Sequence, residues 1–565
     1  MKGFLDEVAE YLVKQHNSED LQNMIMVLPS KRGGIYLKKA LARVFPTPLI
    51  SPVIYSLEEF VLIATESELM GPTDLLLEAY SCFKAVEPNL ELDKFMGWGP
   101  IMLKDFDTLD MYLVPPKDLF DYLSEAKSID RWAEELGTED KAELITPNTQ
   151  AYFKLHENLL EVYARLQSRL KDKKQFYRGQ LFRKLVKNLV EGKKLPMDFS
   201  KLYFLGFNAL SKSEEEIIRR ILATTNAEIL WDADSYYVND PYHRAGFWLR
   251  NYANPRKKEF LAKNEFLWLG ENYQNQEKEV SIVKVKNTST QVYWAINKIL
   301  EWEKNYGKEE DIALVLGDEQ LLGSFLDYLG YFQDRLNITM GYPLRKTHIF
   351  NLLEDFWEML ISKDPGRFDR GLVDKVLKNP LLRVYLNLKD WDNQNLNEFP
   401  LYIPEEKLSQ LSKEIPIFLY LFPEKTIGFR EILISLGKLC YELIKVLPEN
   451  SMKEQVEAIF MVKESLEKIA ISFEGQELSD LKVGRSFLRQ YLSGLKLSFE
   501  GQVKRTLNVM GLLETRTLDF DRVIILSVNE EILPRSSSRD SLIPYDIATM
   551  KAFDLPTRTQ ADAVT

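Results

Sequence analysis

Residues 508–535 read NVMGLLETRTLDFDRVIILSVNEEILPR. Two apolar runs, NVMGLL and RVIILSV, flank the polar segment ETRTLDFD. Short apolar runs closed by turn residues are the pattern of buried parallel strands. The stretch therefore predicts a strand, a functional loop, a second strand and a strand-end turn. The loop sets Arg516, Asp519 and Asp521 between two buried elements, and Asn529 and two glutamates follow. What the loop touches decides how the rest of the chain is read.

At 565 residues the chain exceeds what one hydrophobic core supports, so several domains are expected. With 45% hydrophobic and 28% charged residues it is an ordinary globular composition and not a disordered one. Cys82 and Cys440 are the only cysteines, which offers neither a disulfide framework nor a zinc spacing and suits a reducing compartment. The amphipathic start MKGFLDEVAEYLVKQH carries acids, unlike a signal peptide, and no long apolar run predicts a membrane span. A soluble, cytoplasmic, multidomain protein is expected. The net charge of −12 argues against an all-over nucleic-acid binder, though a local basic footprint is what binding needs. Between Arg165 and Lys194 eleven Lys and Arg residues gather. That run is either a solvated helical face or a phosphate-tracking surface with Phe176 and Tyr177 as stacking groups.

Strand signals are few. MIMVLPS (24–30) is followed by the basic helical pattern KRGGIYLKKALARVF and then ISPVIYSLEEF. KLYFLGF (201–207) and AEILWDAD (227–234) bracket a helix capped by Ser211 or Ser213, which makes a βαβ unit. VSIVKVK (280–286) and DIALVLGD (311–318) predict two further strands, each followed by a helix. Alternating units of this kind imply an α/β fold with mostly parallel sheets. The α/β segments form two sets, and a long helical block interrupts each. The tail PTRTQADAVT reads as the start of another helix, so continuation past Thr565 is expected.

The opening stretch resembles motif V of UvrD-type superfamily 1 helicases, T-x-H-x-x-K-G-L-E-F-D with an apolar strand and an acidic, proline-ended tail. Arg516 stands at the lysine position, Leu518 to Asp521 at L-E-F-D, and Glu530, Glu531 and Pro534 in the tail; Leu513 and Thr517 replace the histidine and the glycine. LYFLGFNALSKSEEEII lies where motif II belongs, WDADSYY resembles motif III, and IALVLGDEQLLGSFLDYLG resembles motif IV. With VLPSKR near the start and TMGYPL after motif IV, the chain is most similar to AddB-like, RecB-related nuclease proteins of recombinational repair. The resemblance implies two RecA-like parallel-sheet cores, each with a large helical insertion. Residues 1–72 with 196–275 would form the first core and 276–344 with 501–565 the second. Residues 73–195 and 345–500 would be the insertions. It also implies a PD-(D/E)XK nuclease domain beyond residue 565, where Mg2+ would be used.

ATP chemistry in such a fold needs a G-x-x-x-x-G-K-[S/T] cradle and, in motif II, an Asp for Mg2+ and a Glu for water. No Gly-Lys-Ser or Gly-Lys-Thr occurs, and Gly206, Phe207, Asn208 and Ala209 supply neither acid. No cofactor and no catalytic site is therefore expected within this chain. SKRGG (30–34) is the nearest imitation of a cradle and falls where motif Ia of the family touches DNA; Ser30, Lys31 and Arg32 are read as a backbone-phosphate contact, an ordinary strand-to-helix turn or, least, a nucleotide cradle. Arg516 is read as a phosphate contact or as the partner of Asp519 or Asp521, with Thr517 beside it on the DNA-facing loop. Tyr236 and Tyr237 are candidates for base stacking, with core packing as the alternative, and Arg244 adds charge nearby. Asp232 and Asp234 fit turn and cap roles. Asp118, Glu125 and Lys127 imitate a nuclease triad, but in a helical pattern that misplaces them.

The expectation is an ATPase-inactive, helicase-fold scaffold that binds single-stranded or junction DNA and guides a strand to a downstream nuclease. The alternative is an interaction module that docks an ATP-dependent helicase subunit without touching DNA.

Overall fold

The structure, a computed structural model, describes residues 3–556 apart from 46–49, 124–146, 254–268, 276, 308–310, 327, 333–334, 390–395, 424–427, 448–452, 498–505 and 534–539. Pro534, Glu125 and Lys127 lie outside the described residues. The protein is a mixed α/β chain with parallel sheets. It divides into two compact units, Met1–Met70 with Ile101–Met340 and Glu500–Thr565, and Gly71–Pro100 with Gly341–Phe499.

Both four-stranded sheets belong to the first unit. One consists of β1 (Met24–Leu28), β2 (Val53–Ser56), β3 (Lys201–Leu205) and β4 (Ala227–Leu230), in the order β2-β1-β3-β4, all parallel. Every residue of β1 is buried, which is why its sequence is apolar without alternation. Helices α1 (Phe4–Gln15) and α2 (Lys31–Val44) pack beside it; Leu12, Leu37 and Leu41 are fully buried with Met26 and Leu28. The helix between β3 and β4, α3 (Lys212–Thr224), is capped by Ser211, whose side chain accepts from Glu214 N while the Glu214 carboxylate accepts from Ser211 N. Ser213, the other candidate cap, is buried within the first turn of the helix.

The second sheet consists of β5 (Ile312–Leu316), β6 (Leu336–Ile338), β7 (Leu507–Gly511) and β8 (Arg522–Leu526), in the order β6-β7-β5-β8 and again parallel. β7 and β8 are thus the two apolar runs of the opening stretch, and they flank β5. Residues 512–521 must therefore cross β5 from its carboxyl end back to its amino end. Most parallel crossovers use a helix and a dozen or more residues. This one is an irregular loop starting in a 3-10 turn, Leu512–Thr515.

The strand expected at 280–286 is not formed. The segment lies in no helix or sheet, with Val280 80% and Ile282 96% exposed. Composition gives only a propensity: a strand also needs pairing with a sheet edge, and this segment makes none. Helix α4 (Thr288–Tyr306) begins directly after it, with Asn287 accepting from Thr290 N at 2.9 Å.

The basic run 165–194 covers the end of a long helix (Pro147–Lys173), a two-residue strand and the helix Arg178–Val190. Its stacking candidates are not on the surface, since Phe176 and Tyr177 are both buried. The Tyr177 hydroxyl donates to the fully buried carboxylate of Asp110, which also accepts from Tyr163 at 2.5 Å and pairs with Arg183 Nε at 2.5 Å. A carboxylate out of water needs such partners, so the aromatic hydroxyls are held inside. Burial raises the Asp110 carboxyl above its ordinary range, and Arg183 opposes that shift.

The second unit is mainly helical. The helices Phe429–Val446 and Lys453–Ser472 pack together with His348–Ile361, around an aromatic group of Trp357, Phe429, Phe473 and Phe487. Among the described residues no helix is long and apolar enough to cross a membrane.

Candidate nucleic-acid interface

In open parallel sheets ligands bind outside the carboxyl ends of the strands. On the first sheet that edge is built by Ser30 after β1, Gly206 after β3, and Trp231 and Asp232 after β4. Ser30 caps α2, its Oγ accepting from Gly33 N at 3.4 Å. Gly206 has φ +66, a conformation glycine adopts without cost.

The loop 512–521 fills this edge. Thr517 is only 9% exposed and holds φ +61, an uncommon conformation for a β-branched residue. A Cβ placed on Gly206 would overlap Thr517 Cγ2, and one placed on Gly33 would come to 3.1 Å from Thr517 Oγ1. Leu518 packs against the first sheet's core, while Leu512 and Phe520 pack against β5 and β7 of the second. The loop therefore stitches the two sheets together, alternating its side chains between them. This answers what the polar segment touches: its middle is interior.

Charge completes the joint. Arg32 donates from Nη1 to Glu514 Oε2 at 2.9 Å and from Nη2 to the Thr339 carbonyl at 3.0 Å; Thr339 Oγ1 donates to the same Glu514 oxygen at 2.6 Å. Lys31 pairs with Glu59. Tyr36 donates to Asn508 Oδ1 at 3.3 Å, which places α2 across the second sheet as well as the first. Asp519 accepts from Phe4 N at 2.9 Å, and desolvation raises its carboxyl, with a further push from Asp6. A polar cleft beside α2 is lined by Asp6, Tyr36, Lys39, Arg43, Asp311 and Asp521. Desolvation, then Asp521, raises the Asp311 carboxyl. Asp232 is pushed up to about 7 by desolvation first and then by Asp519 and Glu7, although part of the residue stays open to solvent.

Arg516 is exposed and makes no ion pair among the described residues, with Asp519 or Asp521 or any other acid. Of the two roles the sequence left open for it, the ion-pair role is not taken up in this structure.

Tyr236, Tyr237 and Arg244 come together at the other end of the same edge. Asp234 caps the short helix Ser235–Asn239, accepting from Tyr236 N at 2.9 Å, and also accepts from Tyr273 N at 3.0 Å. Tyr273 stacks on Tyr236 with centroids 4.3 Å apart, and the His243 ring lies 4.4 Å from Tyr236. Tyr236 is thus covered by two rings, and its packing is intramolecular. Arg244 is exposed and unpaired among the described residues. Tyr242, which sequence reasoning passed over, is 90% exposed; its only signal was an aromatic residue in a run of turn formers.

Among the described residues no group of three or more His, Cys, Asp or Glu side chains is placed to hold a metal ion. No protein-family model matches the chain, and no curated protein matches it.

Proposed function

We propose that the chain is a nucleotide-independent DNA-binding scaffold in which the two parallel sheets are paired RecA-like cores. In this reading it belongs to an AddB-like repair nuclease and passes a strand to a nuclease domain beyond residue 565. One observation carries the reading. Thr517 fills the strand-end crevice beside Gly33 and Gly206, where this reading would otherwise seat a nucleotide's phosphates, and the neighbouring Arg516 is exposed without an ion pair among the described residues. In this reading the first feature leaves no room for ATP, and the second leaves a cation for a phosphate backbone. Binding of this type is mostly to phosphates, salt-sensitive and weakly selective for sequence.

The docking alternative draws support from β8, the edge strand of its sheet among the described residues, on which Val523 and Ile525 are exposed. A partner helicase subunit would cover them.

The test is to measure fluorescent-ATP binding and DNA-stimulated ATP turnover, with single-stranded DNA binding measured in parallel. DNA binding with no nucleotide binding is expected. Turnover that follows the protein through purification would overturn the nucleotide-independent reading.

A further inference from the structure

The loop 240–247, sequence DPYHRAGF, presents Tyr242 in a way that chain entropy alone would not maintain. One guanidinium pins its backbone. Arg250 donates from Nη1 to the carbonyls of Tyr237 at 2.6 Å and Asp240 at 2.8 Å, and from Nη2 to those of Pro241 at 3.3 Å and His243 at 2.6 Å. Asp240 Oδ1 adds an acceptor for Tyr242 N at 2.8 Å. Gly246 closes the base, where a Cβ would run into the Tyr237 carbonyl. Four bonds from one arginine to four carbonyls fix the loop before any ligand arrives.

What the fixed loop displays is apolar surface beside positive charge. The Tyr242 ring carries no stacked partner among the described residues, Phe247 is 50% exposed, and Arg244 is unpaired between them. An aromatic side chain held at 90% exposure loses apolar burial that it recovers only against something else. The adjacent cation selects an anionic ligand, and a base with its phosphate satisfies both groups at once. From within the loop the His243 ring packs on Tyr236, which in turn stacks on Tyr273.

We propose that loop 240–247 is a base-stacking finger for single-stranded DNA, with Tyr242 under a nucleobase and Arg244 on the phosphate beside it. Arg250 is the positioning residue. The proposal rests on the DNA-binding reading above and assigns it a contact that involves neither Arg516 nor the filled crevice.

The experiment compares anisotropy of an oligothymidylate with that of a length-matched abasic strand, for the full chain and for Tyr242→Ala, Tyr242→Trp and Arg244→Ala. The parent chain is expected to prefer the strand that has bases. Tyr242→Ala should weaken binding to it by about 5- to 150-fold, the span of one stacked base, and leave abasic binding unchanged. Tyr242→Trp should retain the preference, and Arg244→Ala should weaken both strands alike. Equal binding of both strands by the parent chain, or an unaffected Tyr242→Ala, overturns the finger and leaves the scaffold reading intact. No binding of either strand by the parent chain overturns both.

Discussion

Thr517 occupies the space that a side chain on Gly206 would need. The methyl of one residue, on the loop between β7 and β8, stands where the Cβ of the other, at the end of β3, would project. Each is in the left-handed backbone region, at φ +61 and φ +66. The close approach of two sheets is thus achieved by one glycine without a side chain and one threonine in a conformation it rarely adopts.

Gly206→Ala should therefore destabilise by about 1–3 kcal/mol from overpacking alone. Thr517→Gly should relieve backbone strain of about 1–2 kcal/mol. The two effects should not add. In a double-mutant cycle read by urea denaturation, Gly206→Ala should cost markedly less in the Thr517→Gly background. Strict additivity would mean that the two residues do not meet.

The pH dependence follows from Asp232. Its folded-state value, raised to about 7, lies above the roughly 4 of an unfolded aspartate, so the folded chain holds a proton that the unfolded chain has released. That contribution is fully present below about 4 and is lost as pH rises through about 7. Solvent access at this residue makes the effect smaller than the shift alone implies. Asp232→Asn should flatten the stability profile across that window and raise stability at pH 8. A profile unchanged by the substitution would show that Asp232 ionises normally.

Segment 280–286 supplies a third check. Because Ile282 is exposed and unpaired, Ile282→Asn should change stability by no more than about 0.5 kcal/mol. Ile524→Asn, on the buried face of β8, should cost several times as much. Amide exchange at 280–286 should be fast. Slow exchange there would mean that the segment pairs with β8, to whose carboxyl end α4 is already tied by Ser527 N donating to Gln291 Oε1 at 2.9 Å.

The contrast between these elements shows what the sequence could reveal. β1, β3, β4, β5 and β7 were legible because a buried parallel strand must be apolar, and turn residues bound each one; β8 was legible as an apolar run although Val523 and Ile525 are exposed. Segment 280–286 has the same composition but lies in no sheet, because composition does not specify a pairing partner. At the site, Arg516 was visible as a charge between two strands. That Thr517 points inward was not, because it depends on Gly33 and Gly206, about 484 and 311 positions away in the chain. Tyr177 looked like a stacking residue because nothing local to it announces Asp110. Tyr242 escaped notice because the feature that matters, a backbone held by Arg250, is made only by the folded loop.

The most direct test of the scaffold account is anisotropy of the chain on single-stranded, blunt duplex and overhang DNA across a salt series, with Arg516→Ala and Lys31→Ala beside it. The account predicts sub-micromolar binding that weakens steeply with salt. Arg516→Ala should lower both the affinity and the salt slope, by about one phosphate contact. Lys31→Ala, whose partner is Glu59, should do so less. Absence of binding at low salt would contradict the account and make the exposed edge strand β8, not DNA, the place to look for a partner.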